Sequence, residues 1–468
     1  MRYIEISLIK NTTAMTTSVN YINVLSQTFV KFTDCNNLKN FCREHGISLD
    51  KSSFTRERIF SLKTLMGLVL YPKARSIFID ELAYLESIGR KGASVAAFSK
   101  RRRLIPSGYI EAFHADMLSN IYRSGVAPER WNGHLLLACD GTTYTMPDIR
   151  SMKDYFLKGR KTGHSNQPLA RGVVIKDVAN DIIIGANMEC YGEDETKLAV
   201  RILEDLPKDV SELSPVVIFD RKYCAYTLID RLFSKHIDFI IRVKRKFNAE
   251  VDKFFVSDLK EQIVDLYPVA QTRKRLRHMY GSEATHYRVR LVRCSADVVV
   301  MTSLLTDSAI ADDTLDDTPS DYAVQQMANA YTRRWTDETT IGFLKNNLQV
   351  EIFSSTNPNT MYQDFYSKVI NYNIVTLLAK AAAEMRLSRK KSHMHRLGIN
   401  RNDTLGIVAI KFWRTLILNN LKKVWPDMLN QIGRNTFPII PNRHNPRVFR
   451  YIKTSGKYVT MTNYKEVI

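Results

Sequence analysis

The sequence has 468 residues, of which 44% are hydrophobic, and 68 Lys and Arg residues against 48 Asp and Glu residues give it a formal charge of +20. This length suggests two to four domains, and this apolar content excludes a generally disordered chain. No apolar run approaches the roughly 18 residues of a membrane span and the first residues lack a signal peptide's apolar stretch, so we expect a soluble, cytoplasmic protein. The six cysteines include no C-x-x-C pair, so neither a zinc ribbon nor a disulfide framework is supported.

The first region, residues 1–128, is predicted to be helical, because apolar residues from about Thr55 to Tyr122 recur every three or four positions. A helix that Ser94 can cap ends in four consecutive cations, which are Lys100, Arg101, Arg102 and Arg103. Two interpretations of this run stay open. The cations could contact DNA, or they could complement the macrodipole at a helix C-terminus.

The second region, residues 129–244, has the alternating β-branched and helical patterns of an α/β sheet. The predicted strands are Leu135 to Cys139, Val173 to Ile175, Ile182 to Ile184, Val216 to Phe219 and Phe239 to Val243. The predicted helices run from about Glu193 to Leu206 and from about Ala225 to His236. Three strands followed by alternating helices and strands is the order of an RNase H-like core.

Residues 245–304 break this rhythm with cation clusters and with strict alternation from Tyr287 to Leu291, which predicts a small, mostly β insertion. The clusters are Lys244-Arg245-Lys246 and Arg273-Lys274-Arg275. Residues 305–385 return to the core through an aspartate-rich linker. Thr318 can cap the helix that follows, with Pro319 at its first position and Asp321 completing a capping box.

The last region, residues 386–468, is strongly basic, with 17 Lys and Arg residues against 3 Asp and Glu residues and a net charge of +14. Its cations are interleaved with aromatic residues such as Phe412, Trp413 and Trp425 instead of being set on one amphipathic face. This pattern favours nucleic acid over a membrane surface as the partner.

The helix that follows the linker carries the most informative side chains, Tyr331, Arg334, Glu338 and Lys345. At 100° per residue all four fall within an arc of about 60°, and apolar residues such as Ile341 mark that arc as the core-facing stripe. Charged groups at core positions are costly unless they pair or meet a metal or a phosphate, so we predict a site there. The alternative is an Arg334–Glu338 ion pair on a solvated helix face.

Two further carboxylates stand where predicted strands end. Asp140 follows the run that begins at Leu135, and Asp220 follows the run that begins at Val216. Ligands of open α/β sheets bind outside the carboxyl ends of the strands. One such Asp is more often a turn former, but two of them together with Glu338 favour a common site.

These residues resemble the bacterial insertion-sequence transposases of the DDE type whose third carboxylate lies in a Tyr-Arg-Glu-Lys signature. The spacing Y-x2-R-x3-E-x6-K is met by Tyr331, Arg334, Glu338 and Lys345. Asp140-Gly141-Thr142 and Asp220-Arg221 match the first and second aspartate regions of the family, and the resemblance covers about Phe54 to Leu377.

The resemblance implies an RNase H-like (retroviral integrase-like) fold in which Asp140, Asp220 and Glu338 are catalytic and hold two divalent metal ions. Three oxygen donors suit magnesium, with manganese as the alternative ion, and disfavour zinc. Asp337 points away from the predicted arc and is the natural control.

The resemblance also implies how the remaining signature residues act on DNA. Arg334 and Lys345 would hold phosphates beside the metals, and Tyr331 would position the backbone. Some members of the family cut the second strand through a DNA hairpin, helped by an aromatic residue that receives a flipped base. No Trp follows Asp220 closely here, which leaves Tyr223 or Tyr226 as substitutes.

The partners implied are the terminal inverted repeats of a mobile element and a target DNA, bound by a homodimer that pairs two ends in the bacterial nucleoid. No P-loop or G-x-G-x-x-G motif is present and only 19 residues are glycine, so we expect no nucleotide cofactor.

Three functions follow from these patterns. The first is a cut-and-paste transposase, and the second is a structure-selective RNase H-like nuclease that stops at hydrolysis. The third is a non-catalytic DNA-binding regulator, which would leave the three carboxylates unexplained.

Overall fold

The chain is described here from a computed structural model, which covers residues 20–50, 52–55, 59–72, 76–157, 167–305, 319–387 and 397–439, the side chains at 319–323, 337 and 387 excepted. The described residues divide into two compact units. The sheet unit runs from Pro106 to Asn373, and the helical unit combines residues up to Ile105 with residues from Ile374 onward. The division differs from the predicted regions, because a helix from Ser107 to Arg123 belongs to the sheet unit.

A mixed sheet of eight strands in the order β3-β2-β1-β4-β5-β8-β7-β6 forms the centre of the sheet unit. The strands are β1 (Leu135–Thr145), β2 (Leu169–Asp177), β3 (Ile182–Cys190), β4 (Pro215–Phe219), β5 (Asp238–Arg242), β6 (Glu261–Leu266), β7 (Tyr287–Ser295) and β8 (Val298–Thr302). The first three strands are antiparallel to one another, and β4 and β5 run parallel to β1. The five predicted strands are therefore confirmed.

The first strand is longer than the sequence suggests. The predicted run stops at Cys139, but β1 continues to Thr145 because its second half pairs with β2 from Asp140↔Val174 to Thr145↔Leu169. Asp140 therefore lies inside a strand and not at its end, which corrects the prediction. What ends at this point is the pairing of β1 with β4.

Helices cover the sheet. Those of the sheet unit are α6 (Ser107–Arg123), α7 (Arg150–Phe156), α8 (Glu195–Glu204), α9 (Lys208–Ser211), α10 (Tyr226–Ser234), α11 (Ala249–Val256), α12 (Ala270–Tyr280), α13 (Pro319–Thr332), α14 (Trp335–Asn346) and the first part of α15 (Pro358–Leu387). One core cluster joins the sheet to α13, and its members are Trp131, Leu136, Val216, Ile218, Ile240, Val292, Val300, Leu304, Met327, Ala330 and Tyr331. The helices predicted near residues 193–206 and 225–236 are confirmed as α8 and α10.

The segment predicted as a mostly β insertion continues the same sheet. Its strand β8 pairs antiparallel with β5, and β7 and β6 follow outward. It also contains helices of 8 and 11 residues beside strands of 6, 9 and 5 residues, so it is as helical as it is extended. The strict alternation in β7 revealed the strand, whereas the two short helices gave no comparable signal.

The helix predicted to run unbroken through the four signature residues is two helices. Helix α13 begins at Pro319, as predicted, and ends at Thr332, and α14 begins at Trp335. At the junction, the amides of Arg333 and Arg334 bond to carbonyls three residues back. A tighter turn rotates the following residues away from their α-helical positions, so the single 60° arc does not hold. Thr318 lies outside the described residues.

The helical unit contains a helix through residues 20–32, which we call α1. Its other elements are α2 (Cys35–Glu44), α3 (Leu62–Leu70), α4 (Ile77–Ser87), α5 (Val95–Arg102), the last part of α15, β9 (Leu397–Ile399), α16 (Arg401–Ile407), a π-helical turn (Val408–Phe412), α17 (Trp413–Ile417), α18 (Leu421–Ile432) and β10 (Thr436–Pro438). Among the helices that the structure describes, none has the length and apolar character that a bilayer crossing requires.

The basic C-terminal region is folded over residues 397–439, which corrects the interpretation of its aromatic residues. Trp413 and Phe412 are fully buried and Trp425 is 3% exposed. Trp413 packs against Phe29 of α1 with 6.1 Å between ring centroids. These rings form the core of the helical unit and are not available to stack on DNA. The remaining cations and aromatics after residue 439 lie outside the described residues.

A buried lysine attaches α14 to the sheet. Lys176 of β2 is 2% exposed, and its ammonium pairs with Asp181 at 2.5 Å and donates to the hydroxyl of Thr340 at 2.8 Å. Tyr372 of α15 donates to the same Asp181 carboxylate at 2.8 Å and is hydrogen-bonded to Thr340 at 3.0 Å. Buried polar groups are tolerated when each finds a partner, so this network fixes α14 between β2 and α15.

We expect Lys176→Ala to destabilise the protein by about 2–3 kcal/mol, because Asp181 and Thr340 lose their cationic partner and keep the Tyr372 hydroxyl that they share; a fully buried pair would lose about 3–5 kcal/mol. The Asp181 side chain is 33% exposed, which reduces the loss. Urea unfolding measures the effect. Lys208→Ala, which removes a surface cation paired with Glu212 at 3.5 Å, should change stability by less than about 0.5 kcal/mol. Equal effects of the two substitutions would contradict the anchoring role of Lys176.

Candidate active site

The first two predicted carboxylates are brought together by strand register. In the parallel pairing of β1 with β4, Cys139 lies opposite Phe219, so Asp140 and Asp220 are the next residues on adjacent strands. Neighbouring strands lie about 4.8 Å apart. The sheet therefore places both aspartates at the same edge, where β4 ends and β1 continues.

Asp140 is half-buried, and its carboxylate accepts a hydrogen bond from the amide of Gly141 at 2.9 Å. Burial raises the pKa of Asp140 above its ordinary value, and the negative charges of Glu338 and Glu195 raise it further. The Gly141 amide and the Arg334 guanidinium oppose this shift in the pKa of Asp140. Asp140 thus lies within electrostatic range of Glu338, a residue almost 200 positions away in the chain.

The third predicted carboxylate is paired with Arg334. The Arg334 guanidinium lies 3.8 Å from Glu338, and the side chain of Arg334 is 7% exposed while that of Glu338 is 40% exposed. Arg334 also lies over the Trp335 ring, 4.9 Å from its centroid. The ion pair of the alternative interpretation therefore exists, although its Arg334 side chain is buried. Glu338 faces outward from the core, which corrects the prediction that the whole arc is buried. The control carboxylate, Asp337, has a side chain outside the described residues.

Tyr331 and Asp220 complete this group. Tyr331 is 6% exposed and belongs to the core cluster. Burial raises the pKa of Tyr331, and the charge of Asp220 raises it further while that of Arg334 lowers it. Tyr331 therefore lies within electrostatic range of Asp220 and Arg334, and strand register places Asp220 beside Asp140.

Lys345, the last signature residue, contacts β1 and not Glu338. Its ammonium donates to the carbonyl of Thr143 at 2.6 Å, lies 3.8 Å from Glu351 and lies 5.5 Å from the Tyr144 ring centroid. The side chain is 28% exposed. Lys345 is thus held along the continuation of the strand that carries Asp140.

Glu195 is a residue of the site that the sequence did not indicate. It is 8% exposed at the start of α8, pairs with Arg171 of β2 at 3.1 Å and makes an ion pair with Lys222. A Cβ atom at Gly141 would lie 1.9 Å from a Glu195 oxygen, so only glycine allows this approach beside Asp140. Nothing in the local pattern around Glu195 marks it, because its role depends on partners from three other elements.

The donor set fits a hard divalent cation. Asp140, Asp220 and Glu338 offer carboxylate oxygens, which magnesium prefers, and a bound cation would offset the unfavourable charge that burial, more than the neighbouring carboxylates, imposes on Asp140. Across the described ranges, however, no three His, Cys, Asp or Glu side chains lie close enough together to enclose one metal ion. Glu338 instead has Arg334 as its cationic neighbour.

The N-terminal cations are placed differently from one another. Lys100 and Arg103 are exposed, Arg101 lies 4.1 Å from the Phe54 ring centroid, and Arg102 is 1% exposed with its guanidinium 5.3 Å from the Phe98 ring centroid. Arg102 is therefore a core residue of the helical unit, and its predicted DNA contact is wrong for this structure. The helix period explains the difference, because Phe98 and Arg102 share one face.

The two tyrosines considered for a flipped base also differ. Tyr223 is 2% exposed and packs against Phe219 with 5.3 Å between ring centroids. Tyr226 is half-buried and stacks on Phe247 with 4.8 Å between ring centroids. Only Tyr226 presents a partly accessible ring.

Two aspartates on adjacent strands and a helix glutamate, with buried or half-buried cations beside them, are groups of the kind that metal-dependent phosphoryl transfer uses. The family model of the transposase DDE domain matches residues 131–374, more than half of the 468-residue chain. The chain therefore belongs to the transposase DDE domain family, which confirms the predicted relationship at the level of the family.

The chain was also compared with solved structures and with curated proteins. A solved cryo-EM structure, the synaptic complex of piggyBac transposase with hairpin DNA, has a TM-score of 0.42 and 8% sequence identity, covering 92% of this chain and 87% of that chain. No curated protein matches the chain.

We expect Asp140→Asn to stabilise the protein at pH 7, because the raised pKa means that the folded state disfavours the charged carboxylate. The penalty is present above the folded-state pKa of Asp140 and disappears below its ordinary value of 3.8, where both states are protonated. Melting in EDTA should show a gain of about 1–3 °C at pH 7 that shrinks as the pH falls toward 4. A gain that does not depend on pH would contradict this assignment.

Proposed function

We propose that the protein is the DNA transposase of a bacterial insertion sequence, which cleaves DNA at the element ends and joins them to a target by a cut-and-paste reaction. The observation that carries the proposal is the register of β1 and β4, which makes Asp140 and Asp220 neighbours, with Glu338 within electrostatic range of Asp140. Membership of the transposase DDE domain family supports the same reaction class.

We infer an RNase H-like core from the sheet. Strands β3, β2 and β1 are antiparallel neighbours, followed by β4 and β5 parallel to β1, and along the chain they have the order of strands and helices predicted for that core. Helices α8 and α10 connect β3 to β4 and β4 to β5. In this proposal, β6, β7, β8 and their two helices are an insertion between the second and third carboxylates.

Asp140, Asp220 and Glu338 would hold two magnesium ions, with manganese as the alternative. Such ions activate a water or a 3′-hydroxyl and stabilise the leaving oxygen of a phosphodiester. Glu338 would exchange its ion pair with Arg334 for a metal ligand role, which leaves the Arg334 guanidinium to bind a phosphate oxygen. Tyr331 beside Asp220 would fix the position of the DNA backbone.

The proposed partners are the terminal inverted repeats and the target DNA, with a homodimer pairing two ends in the nucleoid. Lys100 and Arg103, which are exposed on the helical unit, would contact the ends. A structure-selective nuclease without strand transfer is the alternative, and short inverted repeats with target duplications beside the gene would distinguish the two. The partly accessible ring of Tyr226 would serve a hairpin step if one occurs.

Each of Asp140→Ala, Asp220→Ala and Glu338→Ala should lower cleavage of element-end DNA by about 10³-fold or more, since metal assistance supplies several kcal/mol of transition-state stabilisation. DNA affinity should change by less than about threefold, because the phosphate contacts lie elsewhere. Glu212→Ala, which removes an exposed carboxylate, is the matched control and should cleave normally. Normal cleavage by any of the three variants would refute the metal triad.

Metal binding has a readout that does not need activity. A ligand that binds only the folded state raises its melting temperature, so magnesium should raise the melting temperature of the native protein relative to EDTA. The three alanine variants should lose this response while the Glu212→Ala control keeps it. An undiminished response in the variants would place the metal elsewhere.

Lys345→Ala should separate a phosphate role from a structural one. Loss of its bond to Thr143 should cost about 1 kcal/mol, or a few degrees of melting temperature. Loss of a phosphate contact should lower single-turnover cleavage at least tenfold in the same variant. A large drop in melting temperature with normal cleavage by the folded fraction would show that Lys345 only stabilises the fold.

A further inference from the structure

An open cavity of about 470 Å³ lies in the sheet unit, beside the segment that follows Asp220. Its lining combines cations with aromatic and amide side chains, among them Lys244, Lys246, Arg275, Tyr226, Phe247 and Asn248. The lining residues include no Asp or Glu, and within the described part of the chain none of the three cations has an ion pair. The cavity is therefore a concentration of positive charge that the fold itself does not neutralise.

Strand register connects this cavity to the carboxylates. In the parallel pairing of β4 with β5, Phe219 lies opposite Ile241, so Asp220 and Arg242 leave the sheet at the same edge. The chain reaches Lys244 two residues after β5 ends. The carboxyl ends of parallel strands share one edge, so the cationic loop starts on the side of the sheet where Asp140 and Asp220 lie.

The loop is held in a defined conformation. Lys246 has a φ of 64°, a left-handed conformation that is less favourable for lysine than for glycine, and its amide donates to the Asp252 carboxylate at 2.8 Å. Asn248 donates to the hydroxyl of Tyr226 at 2.8 Å, and the Tyr226 ring stacks on Phe247 at 26°. These contacts hold the loop in one conformation, in which it forms a wall of the cavity.

Helix α12 also lines the cavity, and its other side carries cations that serve as a control. Arg275 and the buried Leu276 are on its cavity side. At 100° per residue, Arg273, Lys274 and Arg277 fall on an arc of about 100° on the other side, and all three are exposed. The helix thus carries cations of the same kind in two directions, only one of which is the cavity.

We propose that Lys244, Lys246 and Arg275 bind consecutive phosphates of the DNA strand that passes over the carboxylate edge. The inference rests on the proposed function, since it assigns a further DNA-backbone contact to the same substrate. Phosphate binding follows from the chemistry, because three cations around an open cavity without a carboxylate attract an anion of regularly spaced charges. Lys244 and Lys246 lie on the loop after β5 and Arg275 lies on α12, so the cations are available to successive phosphates of one strand.

The test is the salt dependence of binding to a 30-base-pair duplex, measured without divalent metal so that no cleavage occurs. Each phosphate contact contributes about 0.9 to the slope of log affinity against log salt. The triple variant Lys244→Ala, Lys246→Ala, Arg275→Ala should therefore lose up to about 2.7 from the slope. The matched triple variant Arg273→Ala, Lys274→Ala, Arg277→Ala removes the same charge from the same region and should keep most of the slope.

Either an unchanged slope in the cavity variant or equal losses in both triple variants would overturn the inference. Lys246→Ala alone should lose about 0.9 of slope without a change in melting temperature, which guards against a triple variant that fails to fold. ATP at 1 mM and matched ionic strength should not displace the duplex; displacement would make the cavity a nucleotide site instead. If the native protein showed no salt-dependent DNA binding, the transposase proposal itself would be wrong. If the native protein bound DNA and the cavity variant bound it with the same salt dependence, only the present inference would be wrong.

Discussion

The parallel pairing of β1 with β4 is the constraint on which the candidate site depends. The paired segments, Leu135 to Cys139 of β1 and Pro215 to Phe219 of β4, are continuous buried apolar runs, so their register is fixed by packing on both faces of the sheet. That register makes Asp140 and Asp220 neighbours although 80 positions separate them. A slip of one residue in either strand would turn one carboxylate to the opposite face and separate the pair. The charge placed there is unfavourable to the fold, as the raised pKa of Asp140 shows, and the buried Arg334 partly offsets it.

The third carboxylate is positioned by a different kind of force. Helix α14 is held on the sheet by the hydrogen bonds of Lys176 with Thr340 and by the Tyr372 hydroxyl. Such directional bonds fix both the height and the rotation of a helix, which apolar packing alone leaves adjustable. Glu338 thus reaches the edge of the sheet through a polar network, while the aspartates reach it through strand pairing. Glu195 also contributes at this edge, because it lies against Gly141 and forms ion pairs with Arg171 and Lys222.

Much of the sheet and of the candidate site could be predicted from the sequence, because strands such as β4 and β5 are short apolar runs bounded by polar residues. The aspartates were found by their position after such runs, and Glu338 by its spacing from Tyr331 and Lys345. The break at residues 333–334 was missed because an apolar period continues through it, although hydroxyl-to-carbonyl bonds of Thr332 and Thr336 flank it. Arg102 and Trp413 were misjudged for a common reason, since composition reports that a region is basic or aromatic but not which of its side chains face inward.

The division of the chain has a consequence for its synthesis. The helical unit is built from both ends of the chain, with Phe29 of α1 packed on Trp413 and Lys63 of α3 bonded to Asn419 at 2.8 Å. A ribosome adds roughly 5–20 residues each second, so the roughly 270 residues of the sheet unit take on the order of 15–55 s to make. Throughout that interval the apolar faces of the first helices lack the partners that will cover them. The sheet unit is continuous in sequence and has no such delay. Synthesis of the helical unit therefore begins first, but the sheet unit is the first to have all of its residues.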